Sequence, residues 1–547
     1  MFFIKKKLPR SHGLNEPIRH DNHKQPVTRR EFVGAGLASG SAVVMVPTVV
    51  AGLLGNRKAG AQDASRLAED IKTLRAACGL ATQGAGKIPF IAFDLAGGAN
   101  LNGSEALIGG QGGALDFLST AGYAKLGLPG DMTPNSPNAS SAGNNFIDTT
   151  LGLPWHSDGA ILRGILQKTA PATQANVNGC VIAARSENDT GNNPHNPMYG
   201  IYKAGADGSL LTLIGSRSSD SGGNSMAPAS MVDLSVRPTK VDRASDVTGL
   251  VDTGKLGQLF EDDADAIAVL ESIERITAGT DATAPIAYTG KLAAVDMGTR
   301  DDAIKASVRC SYVKSADLAD RFGDPATLNP TVDTKIVGAS GIFSEAEYNG
   351  DEEFRKTAAV MKMVINGLAG AGTITMGGYD YHDGTRASGE LRNFRAGQCI
   401  GAVLEYAKRV VKPVMIYVFS DGSLSATNTV DNSANGRGKF GWQGDNQSVA
   451  NSFFLVYSPN GRPQPLAGAG GLSAARHQQI GFYRADGSVE TASSPAANAV
   501  NLLVETVVLN YMALHSEAER RNFPSLFPNH GLGSTSLQDG ITAFAPL

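Results

Sequence analysis

The sequence predicts an α/β protein with a mostly parallel central sheet and helices on both faces. Three observations predict it. Apolar, strand-like runs recur far apart, at 88–93, 176–184, 373–375, 414–419 and 452–457. Helical patterns separate several of them, and the order helix, strand, helix, strand is what a parallel sheet with covering helices requires. Three runs also deliver an acid beside glycine: Asp94 before Leu95-Ala96-Gly97-Gly98, Asp380 after Gly377-Gly378-Tyr379, and Asp421 before Gly422. In an open parallel sheet the functional crevice lies outside the carboxyl ends of the strands.

The chain opens on a targeting pattern. Arg29-Arg30 precedes an apolar, Gly/Ala-rich stretch to about Leu54, and Ala59-Gly60-Ala61 precedes Gln62. Lys5, Lys6, Lys7 and Arg10 make the start basic. Paired arginines, a mildly apolar core and an Ala-x-Ala site describe a twin-arginine export signal over 1–61. The other reading is an uncleaved membrane anchor, which Pro47 and the small residues disfavour. The expected location is the periplasm, or another exported site reached through the twin-arginine machinery. No stable membrane span is expected after cleavage.

The whole chain carries 48 Lys and Arg against 52 Asp and Glu. The signal segment holds ten and three of these, which leaves 38 against 49, a net charge of −11. So acidic a remainder argues against nucleic acid as a partner. After the signal, 62–85 is expected as a leader helix packed outside the sheet. Residues 86–547 are expected as one α/β domain with long loop insertions. Cys78, Cys180, Cys310 and Cys399 lack metal-type spacing; three disulfide pairings, or reduced buried thiols, are open.

In order, the leader has Leu67, Ile71, Leu74 and Cys78 on one stripe. Strand 88–93 ends at Asp94. Residues 109–141 are dense in Gly, Pro, Asn and Ser and read as loop. A helix over 160–168 precedes strand 176–184, and another begins near Tyr199. The pattern over 261–278 is helical, with Ile267, Leu270, Ile273 and Ile276 on one face. Further helices span about 301–321, 352–368 and 389–411; the last two feed the strands before Asp380 and Asp421. A polar stretch from 421 to 446 reads as an excursion over the site, with Trp442 as a ligand-stacking ring or a half-buried anchor. Strand 452–457 follows, then a buried helix over 497–514 and a surface closure over 523–528.

If the three strands are parallel neighbours, Asp94, Asp380 and Asp421 converge. Clustered carboxylates repel unless a cation lies among them, and His382 adds an imidazole. Plain turn chemistry is the alternative for each Asp-Gly pair. Asp383 and Asp445 are further ligand candidates. Ser186 and Thr190 follow strand 176–184, where a hydroxyl near a helix start and a cation can act as nucleophile. They equally suit helix caps, with Asp189. His195 is a candidate ligand or acid, or a surface residue.

These pieces together resemble an exported bacterial family, domain of unknown function 1501, which is similar to the alkaline phosphatase and sulfatase superfamily. The matching pieces are the twin-arginine signal, Asp94-Leu95-Ala96-Gly97-Gly98, Gly377-Gly378-Tyr379-Asp380-Tyr381-His382, Phe419-Ser420-Asp421-Gly422 and Phe523-Pro524-Ser525-Leu526-Phe527. The resemblance implies an alkaline phosphatase-like fold, metal ligands at Asp94, Asp380, His382 and Asp421, and attack on a phosphate or sulfate ester by Ser186 or Thr190. The substrate would be a small-molecule or polysaccharide ester. The chain departs from the pattern where relatives place Asp-His-Gly, since it has Asp445-Asn446-Gln447, and at Asp421-Gly422, where Asp-His is expected. One divalent metal therefore fits better than two, and Ca²⁺ or Mg²⁺ better than Zn²⁺. An exported binding or structural protein that keeps the fold without the chemistry is the alternative.

Overall fold

The computed structural model describes residues 65–78, 86–135, 145–186, 195–215, 227–251, 263–278, 301–322, 324–466 and 473–547. The export signal expected over 1–61, and Thr190, lie outside the described residues. The helices used below are α1 (Glu69–Ala77), α2 (Ala160–Lys168), α3 (Met198–Lys203), α4 (Asp263–Ala278), α5 (Asp301–Arg321), α6 (Glu352–Ile365), α7 (Ala387–Arg409) and α8 (Val500–Ala513). No helix among the described residues is long and apolar enough to cross a membrane.

The chain divides into two compact units, one of residues 1–81 and 249–325, the other of 82–248 and 326–547. The apolar stripe of the leader is buried within the smaller unit. Leu67, Ile71 and Leu74 of the first segment are buried with Ala266, Ile267 and Leu270 of α4 and Val313, Ala316 and Ala319 of α5. A Cys78–Cys310 disulfide joins α1's end to α5 across 232 residues, while Cys180 and Cys399 are free and buried. The inward face of α4 differs from the one its isoleucines suggest. Ile276 is 61% exposed, whereas Glu271 and Glu274 are buried. Each acid has a specific donor: the Ala68 amide reaches Glu271 at 2.7 Å, and Arg309 reaches Glu274 at 2.9 Å.

The larger unit is built on an eight-stranded sheet. Its strands are β1 (Phe90–Leu95), β4 (Val177–Ala183), β5 (Leu211–Gly215), β6 (Thr239–Lys240), β7 (Ala369–Met376), β8 (Val414–Phe419), β11 (Asn451–Tyr457) and β12 (Gln479–Ile480). Two small pairs stand apart: β2 (Ile147–Asp148) with β3 (Trp155–His156), and β9 (Leu424–Asp431) with β10 (Lys439–Asp445). The order is β12-β4-β11-β8-β1-β7-β5-β6. Every neighbouring pair is parallel except those involving β11, which runs against both β8 and β4. The α/β expectation holds. The reversal of β11 has a simple cause. The chain leaves the C-terminal edge after β8, makes the β9–β10 hairpin, and re-enters from that same edge, so the next strand must run back. Because β4 is antiparallel to β11, its carboxyl end returns to the edge shared by β1, β7 and β8.

Alternate residues of the strands face opposite helical layers. Phe90, Ala92, Ala371, Met415 and Tyr417 pack with Met198 and Ile201 of α3 and Val504 and Val508 of α8. The other face is covered by α6 and α7, with α2 laid along α7. That crossing is close: a Cβ on Gly397 would lie 2.1 Å from the Ile161 carbonyl. Two further expectations are corrected here. The loop expected over 109–141 contains a helix, Thr120–Lys125, whose N-terminus is capped by Ser119. The surface closure near the C-terminus is core: Phe523 is fully buried in the α3–α8 layer, because its ring faces apolar neighbours there.

Candidate active site at the carboxyl rim

The central triple is β7-β1-β8, so the three acids do reach one rim. The register pairs Asp94 with Thr375 on one side and Phe419 on the other. Asp94 lies inside β1, and its parity sets it on the Phe90–Ala92 face. It is fully buried, and Thr375 Oγ1 donates to its Oδ2 at 3.3 Å. Asp421 lies two residues past β8 and is also buried. Its Oδ1 accepts the Gly97 amide at 2.7 Å. Ser420 completes this clasp. Its Oγ accepts the Ala99 amide at 2.7 Å and donates to the Leu95 carbonyl at 2.6 Å.

Gly97 is the hinge of the rim. Its φ is +123°, outside the range of ordinary residues, and a Cβ there would lie 2.5 Å from the Asp380 amide nitrogen. Asp380 therefore packs directly over the loop that Asp421 holds. Its carboxylate points outward, to His382 Nε2 at 2.5 Å. Asp380, His382 and Asp445 each offer a ligand atom, all within 4.8 Å of one another, and all three residues are exposed. Asp94 and Asp421 do not join this group. The structure thus keeps two of the four expected ligands together and supplies Asp445 as the third.

Asp383 belongs to the turn instead. It accepts from the Thr385 amide at 3.0 Å, Thr385 Oγ1 at 2.8 Å and Ser388 Oγ at 3.1 Å. Burial would raise its pKa, but these donors prevail and hold it below the ordinary carboxylate range.

Ser186 follows β4 to the same edge. Its hydroxyl has two partners, the Asp421 carbonyl at 2.8 Å and His195 Nε2 at 2.9 Å. The His195 ring stacks on Phe419, centroids 5.8 Å apart and planes 8° apart. The neighbouring Asn196 donates to Thr373 Oγ1 at 3.1 Å, which lays this segment over the Asp94 face. Burial pushes the His195 pKa down to about 3, so the ring is neutral at physiological pH. Its Nδ1 is buried and has no hydrogen-bond partner among the described residues. His195 is therefore no surface residue: it is held in the core at the foot of the rim.

No family model, no curated protein and no solved structure matches this chain. The site is therefore characterised by its own geometry. Contacts run without a break from His195 through Ser186 and Asp421 to Gly97, Asp380, His382 and Asp445. Two carboxylates and one imidazole, open on the solvent side, are a fitting donor set for a divalent cation that prefers oxygen.

Sequence reasoning missed three parts of this arrangement. Ser420 stood in plain view beside Asp421, yet its clasp depends on the β1–β8 register. Tyr381 is buried between exposed neighbours; its hydroxyl accepts the Asn100 amide at 2.9 Å and donates to Asn393 Oδ1 at 3.1 Å. Trp442 is no ligand platform: it is 1% exposed, with the Arg386 guanidinium 4.5 Å from its ring centroid. Its place in a β-hairpin could not be read from the Gly-rich, polar stretch around it.

Proposed function

We propose that this chain is an exported hydrolase of phosphate or sulfate esters working at the carboxyl rim of its sheet. One observation carries the reading: a serine hydroxyl 2.9 Å from an imidazole nitrogen, at the sheet edge where acids from neighbouring strands gather. Ser186 is the nucleophile. With its proton turned to His195 Nε2 its oxygen attacks phosphorus or sulfur, and the bond to the ester oxygen breaks. Neutral His195 takes the hydroxyl proton and returns it to the departing ester oxygen; water then displaces the phosphoryl or sulfuryl group from Ser186 Oγ, which releases phosphate or sulfate and restores the hydroxyl. Asp380, His382 and Asp445 would hold a divalent cation, Ca²⁺ or Mg²⁺ before Zn²⁺, which supplies charge stabilisation to the transferring group. The Asp421 carbonyl positions Ser186. Export through the twin-arginine route belongs to the same reading and is supported by Arg29-Arg30 and the apolar stretch after them.

A second reading has its own support. Ser186 and His195 are each 2% exposed, as suits a polar lock inside a binding or structural protein. Turnover of aryl phosphates and aryl sulfates, with Mg²⁺ or Ca²⁺ present, separates the two. The hydrolase reading expects activity that Ser186→Ala abolishes while the melting temperature stays within a few degrees. Undiminished turnover in Ser186→Ala would overturn it. No turnover, with a large loss of stability in Ser186→Ala, would establish the lock.

A further inference from the structure

Behind the rim lies a second set of ionisable side chains that the hydrolase reading does not use. Glu105, in the loop after Gly103, is fully buried. Its Oε2 accepts the Ile161 amide at 2.8 Å and its Oε1 accepts Asn393 Nδ2 at 2.9 Å. Both donors are neutral.

The nearby cations are taken by another acid. Glu390 Oε1 accepts Arg386 Nε at 3.0 Å and Lys439 Nζ at 2.8 Å, and its Oε2 accepts Arg163 at 2.7 Å. Lys439 also donates to the Asp158 carbonyl at 2.7 Å, and Arg437 Nε reaches the Asp158 carboxylate at 2.9 Å. His156 lies on the same side, its amide donating to the Glu105 carbonyl at 2.8 Å. Burial and the Lys439 charge hold that imidazole neutral. The Tyr381 phenol, also buried, stays protonated. Glu105 is therefore buried beside α7: Asn393 binds it, and Glu390, one turn away on the same helix, already has its oxygens engaged by three cations and repels a second charge.

The network joins two pieces of the rim. Lys439 begins β10, the strand that ends at Asp445, and Arg437 lies in the turn two residues before it. Asn393 links Glu105 to the Tyr381 hydroxyl, and Tyr381 stands between Asp380 and His382.

We propose that Glu105 is a proton switch: neutral, it lets two acids share the buried space and seats the β9–β10 hairpin and the Tyr381 turn; ionised, it loosens them. Burial and the Glu390 charge, in that order, raise its pKa to about 7. A raised acid favours the folded form fully below its unfolded pKa of about 4.5, and that contribution fades as pH rises through about 7. The rim is thus tighter at mildly acidic than at mildly alkaline pH. This switch stands apart from the hydrolase reading and survives its failure.

The chain's two tryptophans report on it directly. Trp155 bridges Ala106, the neighbour of Glu105, and Trp442 stacks with Arg386. Intrinsic fluorescence of the exported chain, titrated from pH 5 to 9, should show a transition with its midpoint near 7. Glu105→Gln, neutral at every pH, should abolish the transition and keep the acidic-side spectrum. His382→Gln should leave it in place. Hydrogen–deuterium exchange over 424–445, corrected for intrinsic rates, should rise from pH 6 to 8 in the parent and stay flat in Glu105→Gln. A transition retained in Glu105→Gln, lost in His382→Gln, or absent from the parent would overturn the switch. A Glu105→Gln chain lacking native circular dichroism would be replaced by Asn393→Asp, which adds a like charge beside Glu105 and should move the midpoint upward; an unmoved midpoint counts against the proposal.

Discussion

The Gly97 amide and the Asp421 carboxylate meet at 2.7 Å across the ends of two neighbouring parallel strands, although 324 residues separate them. This bond ties the loop after β1 to the end of β8, and the Asp380 amide packs against Gly97. Gly97 therefore tolerates no side chain without strain. Gly97→Ala forces a side chain into a left-handed backbone and against the Asp380 amide. Strain of this kind costs about 1–3 kcal/mol. Chemical denaturation should show a loss of that size, with an unchanged denaturant slope. A stability equal to the parent's would mean that the loop is not clamped as described.

The exposed triad makes a prediction about cations. Asp380→Asn and Asp445→Asn each remove one hard ligand, and each should weaken Ca²⁺ or Mg²⁺ binding by about tenfold or more. Asp94→Asn should leave cation affinity unchanged, because that carboxylate is buried and is not one of the three exposed ligand groups. Its cost belongs to folding, about 1–3 kcal/mol for a disturbed buried polar group. Isothermal calorimetry on the three variants checks this. Equal loss of binding in Asp94→Asn would return the metal to the strand ends themselves.

Much of this rim was legible in the sequence because strand periodicity and terminal Asp-Gly pairs survive without any knowledge of neighbours. The runs ending near Asp94, Asp380 and Asp421 are β1, β7 and β8, side by side. What the sequence lacked is depth. Asp94 stops one residue short of its strand's end and turns inward with Phe90 and Ala92; Asp380 lies four residues past Met376 and turns outward. Such a difference is set by where each strand leaves the sheet, which no local pattern encodes. Glu105 was invisible for a related reason. It sits in Ser104-Glu105-Ala106, ordinary as a loop, and only the approach of α2 and α7 removes its water. The polar run 424–445 likewise becomes a hairpin because Arg386, Glu390 and Asp158 wait for Lys439 and Arg437.

Acid should unfold the protein through its histidines. His156 and His195 have pKa values pushed to about 3 by burial, and His515 is also lowered. For His515 burial is the main cause, against the Tyr511 carbonyl that Nδ1 reaches at 2.9 Å; Nε2 accepts the Ile88 amide at 2.9 Å, a bond that only the neutral ring can make. The unfolded chain binds protons below about pH 6.5, where these folded rings do not. The stability they contribute is complete above about 6.5 and is lost as pH falls toward 3. In Glu105→Gln, which removes an opposing raised carboxyl, calorimetric melting temperatures should fall steadily from pH 6.5 to 4, with a shallower slope when His515→Gln is added. A flat profile over that interval would contradict neutral buried rings.

The Cys78–Cys310 bond is the only disulfide among the described residues, and it ties the end of α1 to α5 within the smaller unit. Without it, α1 is held to α4 and α5 by a small apolar core and by ion pairs such as Arg75–Asp317 at 2.9 Å. A disulfide closing a loop this long typically contributes about 2–4 kcal/mol by restricting the unfolded state. Reduction should therefore expose 263–278 and 301–322 to proteases while the sheet unit stays resistant. Cys180 and Cys399 should not be labelled under the same conditions, since both are buried and burial raises both thiols far above their ordinary range. Thiol titration gives the count. The native oxidised chain should react at no cysteine, the denatured oxidised chain at two, and the denatured reduced chain at four. Two reactive thiols in the native oxidised chain would show that the pairing or the burial is otherwise.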